Sequence, residues 1–195
     1  MVGIERVTIL RTDSNYIRTA SGGRFWPLDP SPNEIDIEDI AHALANQCRW
    51  TGHTREFFSV AQHSILVSEL CLDYPMEGLL HDASEAYLVD LARPIKKAPG
   101  LGEIYMKVEA AVEQVIAARY GLVWPWPTEV KAADDVLLRT EWRDLMSRQE
   151  EKAGSELAPG LPVLAQRLSP ETPKMAKAMF LERFEELQRA AVARN

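Results

Sequence analysis

Long apolar runs are missing from this sequence. No window approaches the ~20 residues that a membrane span needs, and the start, "MVGIERVTIL", has no apolar stretch behind a basic cluster. Neither a membrane span nor a secretory leader is expected, and the cytoplasm is the expected location. Cysteine is scarce too. Cys48 and Cys71 each fall in a helical pattern without metal-ligand spacing, so they read as small buried hydrophobes of a reducing compartment, and no disulfide is expected. Basic charge is the third shortage: 22 Lys and Arg stand against 29 Asp and Glu, a net charge of −7, and the cations are scattered rather than blocked. Such a chain offers no field for a phosphate backbone, which excludes duplex DNA or RNA as an expected partner.

What is present is ordinary globular material. With 195 residues, 46% hydrophobic and 26% charged, one domain spanning residues 1–195 is expected. Strand signals are confined to residues 5–29, as "ERVTIL", "YIRTA" and "RFWPL". Ser21-Gly22-Gly23 separates the last two, which predicts a small N-terminal hairpin. From Ile37 onward the apolar period is helical: Ile37, Ile40, Ala41, Leu44 and Cys48 share one face. The predicted class is therefore all-α with a small N-terminal β-hairpin.

The helical signals continue to the end of the sequence. Ser59 to Gln62 fits a capping box for a helix running to about Leu72, and Asp73-Tyr74-Pro75 opens another, with Pro94 limiting how far it continues. An amphipathic helix over 103–120 buries Ile104, Val108, Ala111, Val112 and Val115, and Gly121 stops it. Thr128 caps a helix over 129–148, residues 149–168 form a polar loop, and Thr172-Pro173 opens a last helix over 172–193.

The stretch "MEGLLHDASEAYLVDLARPIKK" concentrates the chemistry. Its helix is apolar nearly all round and so reads as central, yet it carries His81, Asp82 and Glu85. A buried carboxylate without a partner costs several kcal/mol and demands a compensating cation. A lone helical His or Asp is usually just a hydrogen-bonded core residue, but two further residues bear on this one. His63 shares a face with Leu66, Val67 and Leu70, and Asp134, unlike Asp135, lies within the stripe Val130, Ala133, Leu137, Leu138 and Leu145. His63, His81, Asp82 and Asp134 make a mixed nitrogen and oxygen set suited to one divalent ion, Mn, Co, Ni, Fe, Zn or Mg. Such an ion serves phosphate-ester hydrolysis, with Glu85 one turn beyond His81. Glu141 lies in the same stripe as Asp134 and predicts a buried salt bridge to an Arg; His42, on a polar helix side with Glu38, reads as structural.

The segments "CRWTGHTREFFSVAQHS", "LLHDASEAYLVDLARPIKK" and "VKAADDVLLRTE" resemble the HD superfamily of metal-dependent phosphohydrolases, over about residues 35–148. They look like its branch of small helical enzymes, the bacterial 5′-deoxynucleotidases and phage deoxynucleoside triphosphate hydrolases. The resemblance implies an HD-domain helical bundle in which His63, His81, Asp82 and Asp134 bind the catalytic metal, Glu85 assists proton transfer and Asp90 supports the site. It also implies that Arg49 and Trp50 contact phosphate and sugar, which suits a planar fork and an apolar plate, and that the protein forms a homodimer. His53 and Arg55 depart from the deoxynucleotidase pattern and leave phosphate number and base open. Lys96, with Arg93 and Lys97, adds candidate phosphate contacts, although a charge run is usually a solvated face. The expected activity is hydrolysis of a deoxynucleoside 5′-monophosphate. The alternatives are triphosphohydrolysis, a catalytically silent nucleotide-binding module, or a structural helical domain with buried ion pairs.

Overall fold

Ser21-Gly22-Gly23 reverses the chain with Gly22 at φ 91°, a left-handed conformation that glycine adopts without a Cβ clash. The turn joins β1 (Ile17–Arg18) to β2 (Arg24–Phe25), antiparallel with Ile17 opposite Phe25. The structure is a computed structural model that describes residues 11–146 and 162–194. The predicted strand "ERVTIL" and most of the predicted 149–168 loop lie outside those residues. Two contacts dock the hairpin: Phe25 stacks on Tyr87 at 3.9 Å between centroids, and Asp39 accepts from the Ser21 backbone N–H and hydroxyl at 2.6 and 2.8 Å.

Helices make up most of the rest: α1 (Ile37–Asn46), α2 (Val60–Leu70), α3 (Pro75–Leu80), α4 (Glu85–Leu88), α5 (Arg93–Lys96), α6 (Leu101–Tyr120), α7 (Thr128–Leu145) and α8 (Pro173–Arg194). The mostly helical class agrees with the sequence expectation. The centre is α2 rather than the 76–97 stretch: eight of its eleven residues are buried, and α1, α3, α7 and α8 pack around it. Gly78 lets α3 approach, since a Cβ there would lie 3.0 Å from both Cys71 Sγ and Ser68 Cα. Phe25, Ile40, Leu44, Val60, Leu79, Leu80, Ile116 and Phe180 belong to the main core, and Val67, Val130 and Leu137 to a second cluster between α2 and α7. Each such side chain contributes about 1.5–3 kcal/mol by leaving water.

Several predicted helices are corrected. The stretch from Met76 toward Pro94 is not one helix: His81 to Ser84 wind more tightly, with Ala83 N–H to Leu80 O, Glu85 N–H to Asp82 O and Ala86 N–H to Ala83 O all three residues apart. Val89, at φ 68° and ψ 155°, then ends α4. Ser59 caps α2 by accepting from Gln62 N–H, but the Gln62 side chain does not close the box. It donates to Ser169 O and accepts from Glu171 N–H, pinning the segment before α8. Thr128 is the first residue of α7, not its cap. Ile104 is 64% exposed and does not join the inward face, while Gly102 lets the start of α6 pass close to α5, since a Cβ there would clash with Lys96 O. Among the described residues no helix is long and apolar enough to cross a membrane.

Candidate functional site

Three helical segments bring four ligand-type side chains together. His63 lies fully buried in α2, His81 and Asp82 follow α3 in the tightened turn, and Asp134 lies in α7. His63 Nε2 is 3.3 Å from Asp134 Oδ1 and 3.6 Å from Asp82 Oδ2, and His81 Nε2 is 3.3 Å from Asp82 Oδ1. Ligand atoms of His63, His81 and Asp134 lie within 4.8 Å of one another. Asp135, one residue on, pairs with Lys131.

The polar atoms that lack partners are the informative ones. Among the described residues, His63 Nε2 and His81 Nε2 are both buried without a hydrogen bond, an arrangement that costs about 1–3 kcal/mol for each orphaned group unless something else engages them. Their Nδ1 atoms are engaged, His81 with Gly78 O at 2.8 Å and His63 with Glu141 Oε1 at 2.6 Å. Two imidazoles held at Nδ1, with Asp134 beside them, could hold a divalent cation through Nε2, and Asp82 lies next to both rings.

Electrostatics separates the acids. Burial opposes charge on Asp82, but His81, His63 and Arg49 outweigh it, and its pKa lies below the usual carboxylate range. Asp134 is likewise held low, by His63 against burial. Burial and Arg49 push the His63 imidazole down, yet Glu141 and Asp134 prevail and raise it to about 9. A proton and a cation therefore compete for Nε2. Glu85 goes the other way: burial first, then Asp82 and Asp90, lift its pKa well above the usual range. Burial also raises Asp90, helped by Asp82. Pairs of neighbouring acids with opposed shifts suit proton transfer.

Glu85 and Asp90 are held by Gln47, whose side chain donates to Glu85 O at 2.9 Å and accepts from Asp90 N–H at 3.2 Å. Lys96 Nζ sits 3.7 Å from Glu85 Oε1 and 2.8 Å from Glu109. On the other side, Arg49 Nη1 lies 3.5 Å from Asp82 Oδ2, and its Nε lies 3.3 Å from Glu141 Oε2, the buried salt bridge expected of Glu141. Trp50 Nε1 donates to the same oxygen at 2.8 Å. Trp50 and Thr51 both have left-handed backbones, φ 57° and 54°, a strained turn that directs Arg49 and the indole N–H inward.

Not every residue singled out from the sequence joins this group. His53 is exposed, and Arg55 is turned away: its guanidinium donates to Asp144 O, and its N–H to Leu145 O at 2.8 Å, at the end of α7. The free carbonyls of a helix C-terminus attract an Arg. Arg93, Lys97 and His42 are exposed. Sequence reasoning missed Gln47, a half-buried amide just past α1 with no motif around it, and the second and third partners of Glu141.

No family model matches the sequence. The chain is 38% identical over 175 residues to the uncharacterized protein YfdR of Escherichia coli (strain K12), covering 89% of this chain and 96% of that protein. It is 37% identical over 191 residues to an uncharacterized protein of Rhodobacter capsulatus, covering 89% of this chain and 95% of that one. At that identity across nearly the whole of both chains, this protein belongs to the same family as YfdR.

Proposed function

We propose that the protein is a divalent-cation-dependent phosphohydrolase of the HD superfamily, acting on a nucleotide and by first choice on a deoxynucleoside 5′-monophosphate. The observation that carries this reading is the convergence of His63 and His81, each with a bare Nε2, on Asp82 and Asp134. A divalent cation, when bound there, supplies the charge that polarises a phosphoryl oxygen and makes water a stronger nucleophile.

The chain's own residues do the rest. Arg49 uses two N–H groups on Glu141 and Asp82, so its guanidinium is oriented while other donors of the fork remain for a phosphate oxygen. Glu85, with its raised pKa, holds a proton on a buried carboxyl whose Oε2 has no hydrogen-bond partner among the described residues, ready for the leaving oxygen. Asp90 keeps that proton on Glu85 by its own negative field, and Lys96 sets one Glu85 oxygen in place. Trp50 has its N–H committed to Glu141 and offers a substrate only ring surface. The deoxyribose preference rests on the resemblance. The engagement of Arg55 at α7 favours a monophosphate over a triphosphate, because it takes a cation away from the additional phosphates.

A nucleotide panel with Mn²⁺, Co²⁺ or Mg²⁺, with products identified, tests the reading. Phosphate release from deoxynucleoside monophosphates is expected, reduced about 10²–10⁴-fold in Glu85→Ala. Equal activity in the variant would sink the assignment, and intact triphosphate as product would move it to the triphosphohydrolases.

A further inference from the structure

Glu141 follows Asp134 by seven residues on α7, two helical turns, so both carboxylates project from one face. Its side chain is 0% exposed. A salt bridge to Arg49 would occupy one carboxylate oxygen, whereas here both are in use. Oε1 meets His63 Nδ1 at 2.6 Å; Oε2 faces Arg49 Nε at 3.3 Å and accepts from Trp50 Nε1 at 2.8 Å. At 2.6 Å from a carboxylate, Nδ1 must carry the proton, since two acceptors at that distance repel. In the neutral ring, Nε2 is then the bare nitrogen, 3.3 Å from Asp134 Oδ1. The reverse tautomer would leave Nδ1 and Oε1 as opposed acceptors. On the Oε2 side, the consecutive left-handed residues Trp50 and Thr51 need compensation, and the Trp50 indole bond to Glu141 is a contact that supplies it.

We propose that Glu141 is a positioning residue shared by the two halves of the site: Oε1 fixes the His63 tautomer that turns Nε2 toward a divalent cation, and Oε2 holds the Arg49–Trp50 turn that meets phosphate. Loss of the Trp50 indole bond therefore reaches the cation through Glu141, whereas Arg49 also meets the ligand Asp82 directly. The inference rests on the metal and phosphate reading of the same site, and it is separable from the reaction catalysed.

Mn²⁺ binding, followed by electron paramagnetic resonance, tests it in wild type, Glu141→Gln, Trp50→Phe and the double variant, with thermal unfolding as a check of folding. Glu141→Gln is expected to weaken Mn²⁺ about 10–100-fold. Trp50→Phe, which removes a bond to Oε2 and touches no cation ligand, is expected to weaken Mn²⁺ about threefold or more in the wild-type background and not in Glu141→Gln. An unchanged Mn²⁺ affinity in Glu141→Gln, or the same Trp50→Phe effect in both backgrounds, overturns the proposal. Should Glu141→Gln not fold, the ¹⁵N imidazole spectrum of the Zn²⁺-loaded wild type decides: His63 protonated at Nδ1 supports it, and protonation at Nε2 overturns it. Wild type that takes up no cation brings down both readings, whereas wild type that binds Mn²⁺ in this pattern but hydrolyses no nucleotide brings down only the proposed activity.

Discussion

Val89 shows how a single residue is bound to the site. Its φ of 68° and ψ of 155° lie where essentially only glycine is at ease, a strain of about 1–3 kcal/mol. The residue is 57% exposed, so packing does not compensate for it. What holds the peptide is polar: Tyr105 donates its hydroxyl to Val89 O at 2.8 Å, and Gln47 spans from Glu85 O to Asp90 N–H across it. The strained residue thus lies between Glu85, the first residue of α4, and Asp90, just beyond its end. Val89→Gly is expected to raise stability by about 1 kcal/mol, since strain relief outweighs the extra freedom of an unfolded glycine. Thermal unfolding reads the sign, and a lower melting temperature would contradict the strain. No sequence pattern announces such a residue, because Val in "YLVDLARP" is an unremarkable helical or extended residue until its neighbours in space are known.

At the scale of elements, α7 both carries Asp134 and Glu141 and ties down the chain that leads into α8. Arg143 donates to Leu164 O and Gln166 O at 2.6 and 3.0 Å, Thr140 Oγ1 accepts from Leu164 N–H at 3.1 Å, and Asp144 accepts from Leu168 N–H at 3.0 Å. Asp144 is the hub, and although burial works against its charge, Arg143, the Leu168 N–H and Arg167 bring its pKa down to about 2. A depressed folded pKa contributes stability that is complete above the usual carboxylate value near ~4 and disappears as pH falls toward 2. Urea unfolding between pH 6 and pH 2 is expected to show wild type more stable than Asp144→Asn at pH 6 and the two converging at the acid end. A gap that stays constant with pH would exclude Asp144 ionisation as the source. The tightened turn at 81–84 belongs to this scale as well. Periodicity at 100° per residue assumes one helix, so it placed His81, Asp82 and Glu85 on an arc correctly in kind but continued the helix past Val89 toward Pro94.

For the whole molecule, the candidate site is a junction of α2, α3 with its following turn, and α7, so a cation held there would be linked to folding. A cation at about 100 times its Kd adds about 2.7 kcal/mol, which for a chain of this length means roughly 5–10 °C in Tm. Scanning calorimetry with and without Mn²⁺ checks this, and no shift in wild type would show that the folded state does not hold the ion. The sequence alone determined the helical class, the hairpin turn and the inward side of α2 and α7, because each depends on local periodicity and on glycine or proline at the breaks. Inward-facing His63 and Asp134 were legible for the same reason: polar residues inside apolar stripes are buried wherever the helix docks. Only the tertiary structure decided that α2 is central, that Glu141 serves His63, Arg49 and Trp50 together, that Gln47 braces Glu85 and Asp90, and that Arg55 faces the end of α7. These are contacts between residues far apart in sequence, fixed by how helices pack against one another, and a one-dimensional period carries no information about which face meets which neighbour.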